Sequence, residues 1–484
     1  MKEQLTQTEQ VVERYRLQNL ASRIAFIEGK KEGLTYPANW HKVSKCRIVK
    51  HADNVSVLRS KEHGTTHYGG LIVCARAWVC PVCAPLIQAR RAERVIKTFQ
   101  WSYNPDLRTE AIALSEQEYQ RRAYEDQLFD EGKITKKKRR QHMPTPDLLR
   151  SDLKVVMLTL TTPHSRDDTT VSLFEDFILA TRDLKSGRKW QDFKKEIGFV
   201  GEIIGTEITF GNNGPHVHRH ILMTVKNNKN NDQTEYLFRN FFLKNWGNAL
   251  HKIGLLDKDN EKQYRAFCKY GVDVIPFATE SDYLTKQGKE YAWGADGEIA
   301  KQSKKKGTSS SRTPFEVLAD SADNMRDVFI FIDYMRGTKG RSQLSWSPGF
   351  KNLIGFEELE EEKQDEIDAS ESDDPADLLV NLTDEDWQLI IAHKQRGNLL
   401  KAAQEEGLDG IIALISDLKK MGKTAKDPQN IPVLFEKYFN ELVEMWKAKP
   451  FTFANPNLAK NSKAQRDFVL DFYANILVEL HAKR

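Results

Sequence analysis

Apolar and polar positions alternate most clearly over residues 205–223, and the rest of the chain reads as organised around that stretch. Thr206 to Phe210 alternates as a strand does, Gly211-Asn212-Asn213-Gly214 is turn chemistry, and alternation resumes at His216. The pattern predicts a two-stranded hairpin. Every second side chain of a strand points to one face, so His216, His218 and His220 share a face. Folding about Asn212 and Asn213 sets Glu207 roughly opposite His218. Elsewhere, residues 155–163 are β-branched with alternating threonines, which predicts a central strand stopped by Pro163. Strand patterns also fall at 43–49, 55–58, 199–205, 272–275 and 342–347. Apolar residues at helical spacing predict helices over 171–184 and 236–250, and 328–335 reads as a buried helix or strand. A weakly amphipathic helix is expected within 1–39. The fold class is therefore α+β, a central antiparallel sheet with flanking helices, preceded by a cysteine-rich element and followed by a helical C-terminal region.

At 484 residues the chain is long enough for several domains. The pattern divides it into an N-terminal helix (1–39), a cysteine-rich element with a basic helix (40–100), a charged insertion or linker (101–150), the α+β unit (151–350), an acidic linker (351–377) and a helical region (378–484). No run of about 18 apolar residues is present, so no membrane span is expected. The first ten residues lack the apolar core of a secretory signal, and a cytoplasmic protein is the expectation. Net charge is only +4, yet residues 357–377 hold twelve acidic side chains against Lys363. That local −11 leaves +15 on the remainder. A basic body with an acidic segment suits nucleic-acid work, although a solvated acidic linker has the same composition.

Four of the five cysteines lie between 46 and 83, which in a cytoplasmic chain favours metal over disulfides. Cys80-Pro-Val-Cys83 can hold one ion between its thiolates, and Cys74 with Cys46 would complete a tetrahedral zinc site; His51 or His67 could replace Cys46. The helix that follows carries Arg90, Arg91 and Arg94, candidates for phosphate contact. The shared face of Glu207 and the histidines is a mixed oxygen and imidazole set that suits a catalytic divalent cation. Downstream, Tyr283 and Lys286 fall on one face of a helical turn with Glu280. A phenol flanked by a cation is a better nucleophile. Lys304, Lys305 and Lys306 form a basic loop able to follow a nucleic-acid backbone.

The order Cys74…Cys80-Pro-Val-Cys83, Leu158-Thr-Leu-Thr161, Glu207…His216-Val-His218-Arg-His220 and Tyr283-Leu-Thr-Lys286 resembles the plasmid rolling-circle replication initiators. More broadly it is similar to the endonucleases named for a His-hydrophobe-His motif and a catalytic tyrosine (HUH). The resemblance covers roughly residues 40–350. It implies a nuclease-like antiparallel fold at 151–350 that binds a plasmid's double-strand origin and nicks one strand. Tyr283 would attack the phosphodiester and become joined to the 5′ phosphate, leaving a 3′ hydroxyl for polymerase. Glu207, His218 and His220 would hold Mg or Mn, and Lys286 would position the tyrosine or the phosphate. The family's apolar residue between the two histidines is Arg219 here, whereas Val217 fits that role, so His216 and His218 are the alternative pair. Some relatives carry a glutamate one helical turn before the tyrosine that activates water for termination; that position is Thr279 here, and Glu280, with Asp282 close by, would take over the role. Implied partners are origin DNA, a host helicase and a DNA polymerase. Competing readings are a non-enzymatic zinc-containing origin-binding protein, a related tyrosine nuclease (relaxase or transposase), and a zinc hydrolase.

Overall fold

The computed structural model describes residues 6–31, 41–138, 140–166, 168–283, 311–370 and 375–422. In chain order its elements are α1 (Gln7–Lys31), β1 (Val55–Ser60), β2 (Thr66–Gly69), α2 (Cys83–Tyr103), α3 (Thr109–Asp130), α4 (Pro146–Arg150) and β3 (Leu153–Thr161). There follow α5 (Thr170–Leu184), α6 (Gly187–Glu196), β4 (Phe199–Gly211), β5 (Gly214–Lys226), α7 (Asn231–Lys252), α8 (Glu261–Tyr270) and β6 (Val272–Ile275). The last are α9 (Pro314–Asp320), α10 (Met325–Thr338), β7 (Leu344–Trp346), α11 (Phe350–Leu353), α12 (Glu361–Ala369), β8 (Ala376–Leu382), α13 (Asp384–Ala392) and α14 (Arg396–Met421). Among the described residues no helix is long and apolar enough to cross a membrane.

Five strands form one antiparallel sheet in the order β6-β3-β5-β4-β7. Its centre is the β4–β5 hairpin, whose register runs from Gly201 opposite Thr224 to Gly211 opposite Gly214. The turn closes because Gly214 adopts φ +88, and a side chain there would also strike the Ser165 carbonyl. Alternation then assigns each strand two faces. Val156, Leu158 and Leu160 of β3, with Val217, Ile221 and Met223 of β5, join the larger apolar cluster with Phe174, Phe177, Phe242 and Trp246. Leu153, Val155 and Met157, with Ile203 and Leu222, join a second cluster with Val95, Phe99, Phe350, Ala278 and Tyr283. Burying both faces explains why β3 is almost continuously apolar.

The segment expected to be an acidic linker is largely structured. Residues 361–369 form α12, which packs along α2, and 376–382 form β8, the edge of a second sheet ordered β2-β1-β8. The described part of the C-terminal region thus folds back on the N-terminal one: the Arg396 guanidinium lies 5.3 Å from the Tyr15 ring of α1, and the Trp387 indole donates to the Ile48 carbonyl at 3.0 Å. Sequence spacing could not show this, because β1 and β8 pair across more than 300 residues. Residues 43–49 also differ from the expected strand. They open with a short helical turn at 42–45, where the His41 ring accepts from Val43 N–H at 3.3 Å, so this stretch closes as a capped turn. Within 101–150 the charges pair locally: Lys137 and Arg140 both bind Asp126.

Candidate active site

The hairpin delivers Glu207 directly opposite His218 and Gly205 opposite His220. With no side chain at Gly205, His220 and Glu207 meet diagonally on the same face. His218 Nε2 lies 2.6 Å from Glu207 Oε2, and His220 Nε2 lies 3.3 Å from the same oxygen. The three ligand atoms all fall within 4.8 Å of one another. Burial pushes the Glu207 carboxyl up, but its bonds to His218 and His220 outweigh that and hold it down at about 2. An ionised carboxylate between two imidazoles, with its Oε1 and His218 Nδ1 buried and unpartnered, is a donor set that fits a divalent cation. Behind it, Thr159 of β3 lies opposite His220 and its hydroxyl sits 3.0 Å from His220 Nδ1. That contact turns Nε2 towards the ligand group, as outer partners of metal-bound histidines do.

His216 occupies the same face but stands apart from this trio. Its ring stacks on His164 at 4.7 Å and 17°. Burial, with His218 and His164 nearby, pushes its pKa down to about 3. The alternation that raised three candidates could not separate them; the register against Glu207 groups His218 and His220. Arg219, between them, points to the helix-covered face. It donates to Thr206 at 3.2 Å and Thr181 at 2.9 Å and lies 4.7 Å from the Phe177 ring. Its stem and flat guanidinium fill the space an apolar side chain would take. Burial lowers its pKa to about 10.

Tyr283 belongs to the apolar cluster on the metal-site face, with Met157 and Leu222, and is 1% exposed. Its ring lies 6.4 Å from Phe99. Glu280 is half-buried in the turn before it, where Asp282 accepts from the Thr279 N–H at 2.8 Å. Lys286, Lys304, Lys305 and Lys306 lie outside the described residues.

Cys46, Cys74, Cys80 and Cys83 are all buried and converge. Sulfur separations are 3.5 Å for Cys46–Cys83, 3.7 Å for Cys74–Cys83 and 3.7 Å for Cys46–Cys80. Four sulfurs about 2.3 Å from a tetrahedral zinc ion stand about 3.8 Å apart, so the set fits. Hydrogen bonds from the other three draw the Cys83 thiol well below its ordinary range. Buried Arg396 donates to the Cys46 and Arg47 carbonyls, at 3.4 and 2.8 Å, and to the Gln18 and Asn19 side chains. All four acceptors are neutral, so this cation complements the two negative charges of a tetrathiolate holding a divalent ion. His51 and His67, the alternatives to Cys46, stay outside the cluster.

Two of the three arginines of the basic helix, Arg91 and Arg94, are already engaged within the fold. Arg90 is half exposed and pairs with Glu93 at 3.5 Å. Arg91, expected to meet phosphate, is 1% exposed and binds Asp365 through both carboxylate oxygens at 2.8 and 2.9 Å. Arg94 binds Asp368 with two nitrogens, Nη1 donating to one carboxylate oxygen and Nη2 to the other. Both arginines are paired with carboxylates of α12 and dock it against α2.

Set against known proteins, the chain is 25% identical over 393 residues to a curated protein named Protein rep from Streptomyces lividans, covering 72% of this chain and 78% of that protein. The likeness supports a Rep-like replication protein. No family model matches, and no solved structure does either.

Proposed function

We propose that this chain initiates rolling-circle replication of a plasmid by nicking one strand of its double-strand origin. The observation that carries the reading is the shared sheet face of Glu207, His218, His220 and Tyr283, in a chain similar to a Rep protein. Glu207, His218 and His220 would hold Mg or Mn, which when bound polarises the scissile phosphate and offsets charge building on it. Thr159 keeps His220 oriented. Tyr283 Oη attacks phosphorus, the bond from phosphorus to the 3′ oxygen breaks, and the phenolic proton ends on that oxygen. The products are a 5′-phosphotyrosyl adduct and a free 3′ hydroxyl. The Tyr283 ring is buried against Phe99, so DNA entry has to uncover its hydroxyl. Following the family resemblance, Lys286 assists the phenol and Glu280 activates water at termination. The cysteine site holds zinc and shapes the N-terminal half.

The burial of Tyr283 favours one competitor, a non-enzymatic origin-binding protein whose metal is structural. The two readings separate in one assay with supercoiled origin plasmid and Mn. On the nicking account wild type yields open circles, while Tyr283→Phe and His218→Ala leave the plasmid supercoiled but still bind it. Equal nicking by Tyr283→Phe would overturn the assignment of the nucleophile.

A further inference from the structure

Between β6 and Tyr283 the chain leaves the regular ladder. β6 pairs with β3 as far as Ile275 opposite Met157. Beyond it, Ala278 N–H donates to the Val155 carbonyl at 2.8 Å. The return bond is not direct. Val155 N–H donates to the Tyr103 hydroxyl at 3.2 Å, and that hydroxyl donates to the Ala278 carbonyl. One phenol of α2 therefore replaces one bond of the ladder, while Phe277 stacks on its ring at 5.1 Å. The turn that carries Tyr283 starts at the next residue, with Tyr283 N–H donating to the Thr279 carbonyl at 3.2 Å. One helical turn earlier on α2, Phe99 meets the Tyr283 ring. The first residue of α2 is the metal ligand Cys83.

We propose that Tyr103 is a positioning residue that pins the segment carrying Tyr283 to the sheet, and that α2 ties this placement to the cysteine-bound metal site. The proposal rests on reading Tyr283 as the nucleophile. Val155 and Ala278 are 2% and 0% exposed, so without the phenolic oxygen a donor and an acceptor are left buried. Strand β3 is held on its other side by β5 along its whole length, so the residue that gives way is Ala278 and not Val155. Burial also pushes the Tyr103 phenol up to about 12, which keeps its proton available to the Ala278 carbonyl.

The test uses the full chain, Mn and a single-stranded oligonucleotide spanning the nick site, with adduct formation followed in a single turnover. Tyr103→Phe keeps the ring and removes the oxygen. Its adduct rate should fall about 10- to 100-fold, since small misplacements of a reacting group cost that much. Oligonucleotide affinity should stay within about twofold of wild type, because the change is in orientation. Amide exchange at Ala278 should accelerate. Phe277→Leu, at an exposed position that leaves the hydroxyl in place, should slow the adduct by about threefold or more. An adduct rate unchanged in both variants overturns the positioning role. A wild-type chain that forms no adduct overturns the reading of Tyr283 and this proposal with it.

Discussion

Removing Asp365 tests whether the acidic segment is part of the fold. The Arg91 side chain is 1% exposed and that of Asp365 is 13% exposed, with two N–H···O bonds of 2.8 and 2.9 Å between them. At an effective dielectric of about 20 the attraction of such a pair is about 4 kcal/mol. Asp365→Ala does more than forfeit it, because the guanidinium stays buried beside a neutral acceptor, the side-chain Oε1 of Gln343 at 2.9 Å. Breaking a buried pair from one side costs about 3–5 kcal/mol. Arg91→Met should cost a similar amount, and Arg91→Met with Asp365→Leu should cost less than either single substitution, because no charge is then left buried without its partner. Exposed Arg265–Glu261, 78% and 77% accessible, is the control, and Glu261→Ala should cost about 0.5 kcal/mol or less. Urea unfolding of the full chain followed by far-ultraviolet circular dichroism measures all four. If Asp365→Ala costs no more than Glu261→Ala, α12 is a loosely held acidic arm and the docking argument is wrong.

Three further outcomes follow from the two metal sites and their surroundings. His218→Ala and His220→Ala should each weaken Mn binding, read by titration calorimetry, by more than the roughly 10- to 100-fold expected for losing the outer partner in Thr159→Val. His216→Ala should leave it intact, since that ring stacks on His164 outside the ligand group. Cys80→Ser, or stripping zinc with a strong chelator, should unfold the N-terminal half, because a structural zinc site contributes about 10 kcal/mol or more; tryptophan fluorescence and metal release report it together. Burial pushes the His41 imidazole down to about 4, with Arg76 and Lys339 adding to the effect. A depressed histidine stabilises the fold fully above its unfolded pKa and loses that contribution as pH falls from 6.5 towards 4. Wild type should therefore lose about 2–3 kcal/mol more than His41→Gln between pH 7 and 4.5, read from urea midpoints.

Local pattern carried the site further than it carried the fold. Alternation around Gly211-Asn212-Asn213-Gly214 was enough to place Glu207 against His218, because turn length and strand period together set hairpin register. The cysteine spacing was equally legible, since four thiols within 38 residues have few ways to meet. Long-range partners were not. Nothing local says that β1 will find β8, or that Arg91 and Arg94 will find Asp365 and Asp368 more than 270 residues away. A basic helix looks the same in sequence whether it faces phosphate or an acidic helix. Thr159 was in reach: it shares the alternating face of β3 that the register sets against His220, though its threonine signalled only strand propensity. Tyr103 was not, because its role depends on a helix end meeting a ladder that has lost one bond.

If Tyr283 is the nucleophile, it becomes joined to DNA. The direct measurement is to incubate the full chain with Mn and an oligonucleotide spanning the nick site, digest it with protease, and locate the nucleotide-bearing peptide by mass spectrometry. One modified peptide is expected, with the nucleotide joined through its 5′ phosphate to Tyr283. A nucleotide found on another residue, or nicked DNA with no protein-bound nucleotide, would contradict it.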